Sequence, residues 1–342
     1  MTYHTVKIHL NRNLYEKDSY TMRRFSTERE ISIKTGNAVS RGIAAAGYES
    51  FLMDTAFPSK IFKSGKDFNY VPKGKVKNTP EVVLELSEQL VKLKPDKVFI
   101  GLHGGEGENG QIQALLELLQ IPFVGSGAET SAMCMDKNIS KIIAKSERIP
   151  TAKWEFIDPK DYSKTALKKL LKPYGYPVVV KALGQGSSVG VSILHSEGDL
   201  DRTVKMMKDV KDKYIIEQYI KGRELSIPVI KGHAFHSIEL IPHTGFYDYE
   251  HKYTPGVTTH VCPAKITDKE VKALNTYAEK IYKAIGCKDY ARVDFILSGS
   301  DGKLYFLEIN NLPGMTELSL VPESAKASGI SFPELMDLLL ND

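Results

Sequence analysis

Arg292, Asp294, Glu308 and Asn310 crowd one short stretch, residues 291–320, ARVDFILSGSDGKLYFLEINNLPGMTELSL. Asp, Glu and Asn offer hard oxygen donors, too few here for a complete cage. Mg²⁺ is often held in this way, by a few carboxylates together with substrate phosphates and water. Whether these oxygens meet depends on the backbone between them. ARVDFIL is rich in β-branched and apolar residues, SGSDGK is a turn cluster, and LYFLEIN reads as a second strand. Side chains alternate faces along a strand, so Glu308 and Asn310 share one face. A hairpin that sets Asp294 opposite them brings two carboxylates and an amide oxygen together. Arg292 points to the same side as Asp294, either as its ion-pair partner or as a donor aimed at developing negative charge. The alternative is a surface hairpin with solvated charges.

Other stretches carry chemistry of a different kind. Residues 181–192, KALGQGSSVGVS, form a Gly/Ser loop between two strands. A Walker-type phosphate loop enters a helix and carries Gly-Lys-Ser/Thr, and this loop does neither. Its backbone N–H groups and small hydroxyls could wrap phosphates as a flexible flap; otherwise it is an ordinary hairpin turn. Glu217 ends the apolar run YII and needs a partner if it is buried. Residues 244–265, TGFYDYEHKYTPGVTTHVCPAK, read as one long polar loop, of a length that is usually functional or disordered. Its tyrosines Tyr247, Tyr249 and Tyr253 argue against simple disorder.

The elements that must position these groups follow from pattern. TVKIHL alternates as a strand, a polar charged segment spans 11–27, and a helix from near Ser32 runs to Gly47. SFLMD is a second strand. Thr79-Pro80-Glu81 is a helix start, with Val82, Val83, Leu86, Leu90 and Val91 at helical spacing after it. KVFIGL is a buried parallel strand that ends in the glycine-rich HGGEGENG and enters the helix QIQALLELLQ. This alternation implies a parallel α/β layer over roughly residues 1–125. One helix runs from Ser131 to the residue before Pro150. Strands at 152–157 and 177–182 flank the helix SKTALKKLLKPYG, and 214–220 is a strand followed by KGRELSIPVI. A long amphipathic helix spans 267–286, and SFPELMDLLL is a short terminal helix.

The 342 residues suffice for two or three domains and a large core. With 42% hydrophobic and 26% charged residues, the chain has the composition of a soluble globular protein. A net charge of +4 gives no case for a nucleic-acid protein, yet suits an enzyme that handles anionic nucleotides. No apolar run reaches about 18 residues, so no membrane span is expected. MTYHTVKIHLNRN has no secretory core. Cys134, Cys262 and Cys287 fit neither a disulfide framework nor a zinc site, which points to a reducing cytosolic setting.

The chain resembles the D-alanine–D-alanine ligases of the ATP-grasp superfamily over almost its whole length. Eight stretches in the family's order carry the resemblance: STEREISIKTG, HGGEGENG, MDKNISK, VVVKALGQGSSVGVS, IIEQYIKGREL, GFYDYEHKYTPG, ARVDFIL and LEINNLPGMT. It implies an α/β (α+β) ATP-grasp fold. An N-terminal parallel α/β domain over 1–126 would carry the first amino-acid site. A central ATP-grasp subdomain over 127–221 would carry the phosphate flap. A C-terminal subdomain over 222–342 would carry the metal, oxyanion and second-substrate sites, with ATP clamped between the two α+β subdomains.

The resemblance also implies roles. Asp294, Glu308 and Asn310 match the family's ligands for two Mg²⁺ ions, with Mn²⁺ as an alternative and a monovalent cation such as K⁺ as a further ion. Lys137 and Lys181 match the lysines on ATP phosphates, a task that suits a point charge on a flexible stem; by itself Lys137 reads as a solvated helix residue. Glu217 matches the acid that reads the adenine amino group, beside the backbone of Ile220. Glu224 matches the ribose-binding acid, and Lys252 the loop lysine over the terminal phosphate. Arg292 and the N–H of Gly314 match the oxyanion hole; a tight turn after Pro313 can present that N–H. Glu28 and His103 match the groups that hold the ammonium and carboxylate of the first amino acid. Glu28, Ser187 and Tyr253 match a network that joins N-terminal domain, flap and loop. Ser319, with the Leu320 backbone, matches the site for the second substrate's carboxylate. His251 has no matching role.

The implied reaction has two steps. ATP phosphorylates the carboxylate of one D-alanine, and the amine of a second attacks the acyl phosphate while the loop excludes water. The implied setting is a cytoplasmic homodimer in peptidoglycan precursor synthesis, and so in cell wall biogenesis and cell shape. It acts on small molecules, with no nucleic acid and no membrane. The alternative is a relative that joins D-alanine to D-serine, D-lactate or another amino acid. Depsipeptide-forming ligases typically replace the loop tyrosine by His, so Tyr253 favours an amine nucleophile. A catalytically dead nucleotide-binding protein is the rival from another class, and the full set of metal-ligand types, lysines and Arg292 argues against it. Two departures stand out. NRNLYEKDSYTMRRFS replaces the family's short Gly-Gly turn before Glu28, and Glu317-Leu318 replaces its usual Ser-His.

Overall fold

The computed structural model describes residues 5–10, 27–63, 79–186, 188–243 and 257–341, with the backbone alone at 5–10, 27–28 and 159. Three sheets organise them. The N-terminal sheet has the order β3-β2-β1-β4-β5, from β1 (Thr5–Leu10), β2 (Glu49–Asp54), β3 (Phe57–Lys63), β4 (Lys97–Ile100) and β5 (Phe123–Val124). Four strands run parallel, as the alternating pattern predicts; β3 is an antiparallel edge strand. Helix α1 (Thr27–Ala45) starts earlier than the expected Ser32, because acidic residues are favourable in a first helical turn. Its C-terminus closes as expected: Gly47, at φ +92°, donates to Ala44 O, and Tyr48 donates to Ile43 O. In α2 (Pro80–Leu93) the Thr79 hydroxyl accepts from the Val82 N–H, and α3 (Gln111–Leu118) follows the glycine-rich loop.

The helix expected from Ser131 to Ile149 is two helices, α4 (Ala128–Met135) and α5 (Lys137–Ser146). Asp136 breaks it. In an extended backbone its carboxylate accepts from the N–H groups of Asn138 and Ile139, so it caps a new helix instead of continuing the old one. Lys137 thereby becomes the first residue of α5.

The central sheet, order β6-β9-β7-β8, is antiparallel: β6 (Trp154–Ile157), β7 (Val178–Ala182), β8 (Val191–Leu194) and β9 (Tyr214–Gln218). Helices α6 (Lys164–Leu171) and α7 (Leu200–Val210) close its core through Leu167, Leu171, Val204 and Met207.

The C-terminal sheet runs β13-β12-β10-β14-β15, with β11 (His233–Ala234) on β10. Its strands are β10 (Gly222–Ile230), β12 (Ile238–Pro242), β13 (Thr258–Val261), β14 (Tyr290–Ser298) and β15 (Leu304–Asn310). The end of the expected loop 244–265 is therefore strand β13, held by backbone pairing to β12; residues 244–256 lie outside the described residues. Helix α8 (Asp268–Ile285) has the expected ends, a Thr267/Glu270 capping box and Gly286 at φ +82°. Helix α9 (Leu320–Ala327) was not anticipated, since its Pro322 resembles a breaker; in a first turn Pro is tolerated. The terminal helix α10 (Phe332–Leu340) buries Leu335, Met336 and Leu339 against the N-terminal core. Cys134 and Cys287, far apart in sequence, lie 3.9 Å apart as free thiols.

Candidate active site

The hairpin β14–β15 sets Asp294 opposite Glu308 and Arg292 opposite Asn310, with an irregularity after Asp294. Directly opposite residues share a face, so the two carboxylates and the amide fall on one side, as the alternation requires. Asp294 is 4% exposed. Its carboxylate accepts from the Ser226 hydroxyl at 2.6 Å and from Arg292 at 3.0 and 2.8 Å. Of the two roles left open for Arg292, this structure displays the ion pair. The Asn310 amide oxygen accepts from the Leu312 N–H, which fixes the turn into NLPGM.

Lys137 is 8% exposed, not solvated. Its ammonium donates to the Gln185 carbonyl at 2.7 Å and lies 3.6 Å from Glu308. It thus ties the hairpin to the Gly/Ser loop that joins β7 to β8. That loop has the hairpin connection read from sequence: Gly190 adopts φ +71° and Val189 N–H donates to Gly186 O. Its Gly186 faces Glu108 of the glycine-rich loop, 3.5 Å from where a Cβ would stand.

Glu217 is 1% exposed on β9 and has the partner its burial demands. Lys141 lies 3.2 Å from one carboxylate oxygen and Lys181 3.0 Å from the other. Burial pushes the Glu217 carboxyl up, but the charges of Lys141 and then Lys181 outweigh it and hold the group below the usual carboxylate range. Burial pulls Lys141 down, against the opposing charge of Glu217. Ile220 lies just past β9, and Glu224 sits on β10 opposite Leu240 and Ile296.

His103 is buried where β4 gives way to the glycine-rich loop. Its Nε2 is 2.8 Å from the Thr35 hydroxyl, its backbone N–H donates to the Ser32 hydroxyl, and its Nδ1 lies 3.5 Å from Glu108. In NLPGM, a Cβ on Gly314 would come within 2.8 Å of the Ser319 oxygen, so the glycine is required by close approach. The Ser319 hydroxyl is bound to Thr316, and Leu320 packs on Ile238 and Leu240. Glu28 lies in the first turn of α1, and its side chain is outside the described part. Ser187, Lys252, Tyr253 and His251 lie outside the described residues.

Three participants were not singled out from sequence. Ser226 is two residues beyond Glu224, on the same face of β10, and that period could have found it. Lys141 is one helical turn after Lys137, the i,i+4 spacing that puts both on one face. Trp154 stacks near Lys141, whose ammonium is 5.7 Å from the ring; nothing local marked it.

Among the described residues no three His, Cys, Asp or Glu side chains form a cage. Asp294, Glu308 and Asn310 are a partial oxygen set on one face of the hairpin, whose donor chemistry fits an Mg²⁺ completed by phosphate oxygens and water.

Known proteins match this chain over most of its length. Residues 25–126 match the family model described as D-ala D-ala ligase N-terminus, and 143–341 that described as D-ala D-ala ligase C-terminus. A D-alanine–D-alanine ligase of Pelotomaculum thermopropionicum is 35% identical over 322 residues, which cover 92% of each chain. The D-alanine–D-alanine ligase of Bacillus anthracis, solved in complex with ATP, aligns over 99% of this chain and 96% of its own, with TM-score 0.75 and 29% identity. The VanG D-Ala:D-Ser ligase of Enterococcus faecalis has a TM-score of 0.76, at 24% identity and 99% coverage of both chains, a likeness of fold.

Proposed function

The chain belongs to the D-alanine–D-alanine ligase family, and from that premise we propose that it joins two D-alanines at the expense of ATP, through an acyl phosphate, for peptidoglycan precursors. It is an ATP-dependent carbon–nitrogen ligase with an ATP-grasp fold. Family membership supports the D-alanine reading; the observation that supports phosphoryl transfer is that Asp294, Glu308 and Asn310 share one face, with Lys137 bridging Glu308 and the Gly/Ser loop.

Each residue then has a task its surroundings support. Asp294, Glu308 and Asn310 would hold two Mg²⁺ or Mn²⁺ ions; the bound metal supplies charge neutralisation at the transferring phosphoryl group. Lys137, Lys181 and the loop's Lys252 bind phosphate oxygens. Glu217 and the Ile220 backbone read the adenine edge, and Glu224 the ribose. His103 and Glu28 hold the first amino acid. The second places its carboxylate on Ser319 and the Leu320 N–H. Arg292 and the Gly314 N–H then meet the oxyanion as the amine attacks. Ser187 and Tyr253 join the flap and loop to Glu28 and exclude water from the acyl phosphate. The three regions 1–126, 127–221 and 222–342 serve first substrate, phosphate flap and metal site in turn.

We place the enzyme in the cytoplasm as a homodimer, with K⁺ as a further ion. The three free thiols support the cytoplasmic placement, while the homodimer and K⁺ rest on the resemblance alone; no helix among the described residues is long and apolar enough to cross a membrane. A second reading, D-serine in the second position, draws on Glu317-Leu318 beside Ser319. A panel of D- and L-amino acids with ATP and Mg²⁺, read by ADP release and product mass, tests both. D-Alanyl-D-alanine as the main product is expected. A mixed D-alanyl-D-serine product would favour the second reading, and no ADP release with any pair would sink both.

A further inference from the structure

Glu217 carries two lysines, and they are not equivalent. Lys141 comes from α5 and is wholly buried. Its ammonium lies 3.2 Å from the carboxylate, 3.5 Å from the Phe306 carbonyl and over the Trp154 ring. Nothing from solvent reaches it. Lys181 comes from the last turn-ward residues of β7, where the Gly/Ser loop begins, and its side chain keeps 15% exposure. A bound phosphate can compete for Lys181 but not for Lys141. A carboxylate buried as deeply as Glu217 is strongly destabilising once its only counter-charge leaves.

We propose that Lys141 is the resident counter-ion of Glu217, a positioning residue that lets Lys181 turn to the nucleotide without stranding a buried carboxylate. The proposal rests on the reading of Glu217 and Lys181 as nucleotide-binding groups. With Lys141 in place, Glu217 keeps one ion pair throughout the cycle and holds its orientation toward the adenine edge. Without it, Lys181 is the sole counter-charge of Glu217 and stays there, and the nucleotide must win it away.

The test is a double-mutant cycle on the full chain. ADP affinity is measured by calorimetry with Mg²⁺ for wild type, K141M, E217Q, K141M/E217Q and K181M, each checked for a cooperative melt. K141M is expected to weaken ADP binding about tenfold, whereas within the E217Q background the same change should cost less than about threefold. A merely structural lysine would weaken binding equally in both backgrounds, and that result overturns the proposal. Should K141M alone fail to fold, E217Q and K141M/E217Q still decide, because neither holds an unpaired buried carboxylate and, without Glu217, burial favours the neutral amine of Lys141 in E217Q. Equal affinities support the proposal, and an about tenfold weaker double variant overturns it. K181M must itself weaken ADP. If it binds as wild type, the nucleotide assignment falls and the proposal with it; if K181M is weakened and K141M is not, the proposal alone falls.

Discussion

Two hairpins face each other across the site and use the same covalent parts in opposite ways. In β14–β15 the groups proposed for metal and oxyanion chemistry are on the strands. Asp294, Glu308, Arg292 and Asn310 are held by ladder register, and β10 supports Asp294 from the other side. The turn after Ser298 is exposed and does no more than reverse the chain, tied by Ser298 and Asp301. In β7–β8 the strands are mostly core, with Val178, Val180 and Leu194 fully buried; Lys181 at the turn-ward end of β7 faces Glu217, and the proposed phosphate flap is the turn itself. Strand-borne groups are fixed before a ligand arrives, which suits metal ligands that need set distances. Turn-borne N–H groups are fixed only by their own turn and can follow a ligand. On the proposed function, one hairpin is a template and the other a cover.

The largest break in this comparison is expected from Glu308→Gln. The change keeps shape and removes one charge from the template. Turnover should fall by about 10²-fold or more, since the lost charge acts on the developing phosphoryl charge. ATP binding should persist, because Lys137, Lys181 and the cover remain. Turnover close to wild type at saturating Mg²⁺ would remove the metal assignment.

Gly190→Ala strikes the cover and should cost less. Gly190 is at φ +71°, and a Cβ there would come within 2.6 Å of the Ala182 Cβ. Left-handed strain and overpacking together predict a loss of about 2–3 kcal/mol in stability. The KM for ATP should rise as the turn shifts. A urea midpoint and an ATP KM both equal to wild type would show that this turn is not built around its glycine.

The difference between the hairpins also explains what could be read from sequence. The template was legible in part: a strand's period of two puts Glu308 and Asn310 on one face and a turn cluster suggests a hairpin, whereas the pairing of Asp294 with Glu308 depends on the register that the structure supplies. The caps of α8 and α2 were legible for a similar reason: Thr267, Gly286 and Thr79-Pro80 act on neighbouring backbone. Lys137 was not legible as a buried group, since its burial depends on Gln185 and Glu308, far off in sequence. Lys141 failed for the same cause, because Glu217 and Trp154 come from other elements. Asp136 misled by being compatible with a helix interior while capping a new one. Strand β13 was hidden in a polar stretch because backbone pairing to β12, not side-chain pattern, makes it a strand. The roles of Glu28, Ser187, Lys252 and Tyr253 rest on resemblance, as do those of the other nucleotide-, substrate- and oxyanion-binding groups.

Gly302→Ala supplies the smallest expected effect and the cleanest control. Gly302 adopts φ +67°, close to the angle of Gly190, but nothing lies within 4 Å of the place a Cβ would take. The two glycines therefore share backbone strain and differ in packing and in what their turns serve. An alanine at 302 should cost only the left-handed strain, about 1 kcal/mol. Because the strands set the register of Asp294 and Glu308, the turn can relax without moving them. Turnover and both KM values should stay at wild type while the urea midpoint falls slightly. If Gly302→Ala instead lowered turnover, or raised the ATP KM as much as Gly190→Ala, the template would depend on its turn, and the division between a rigid and a compliant hairpin would be lost.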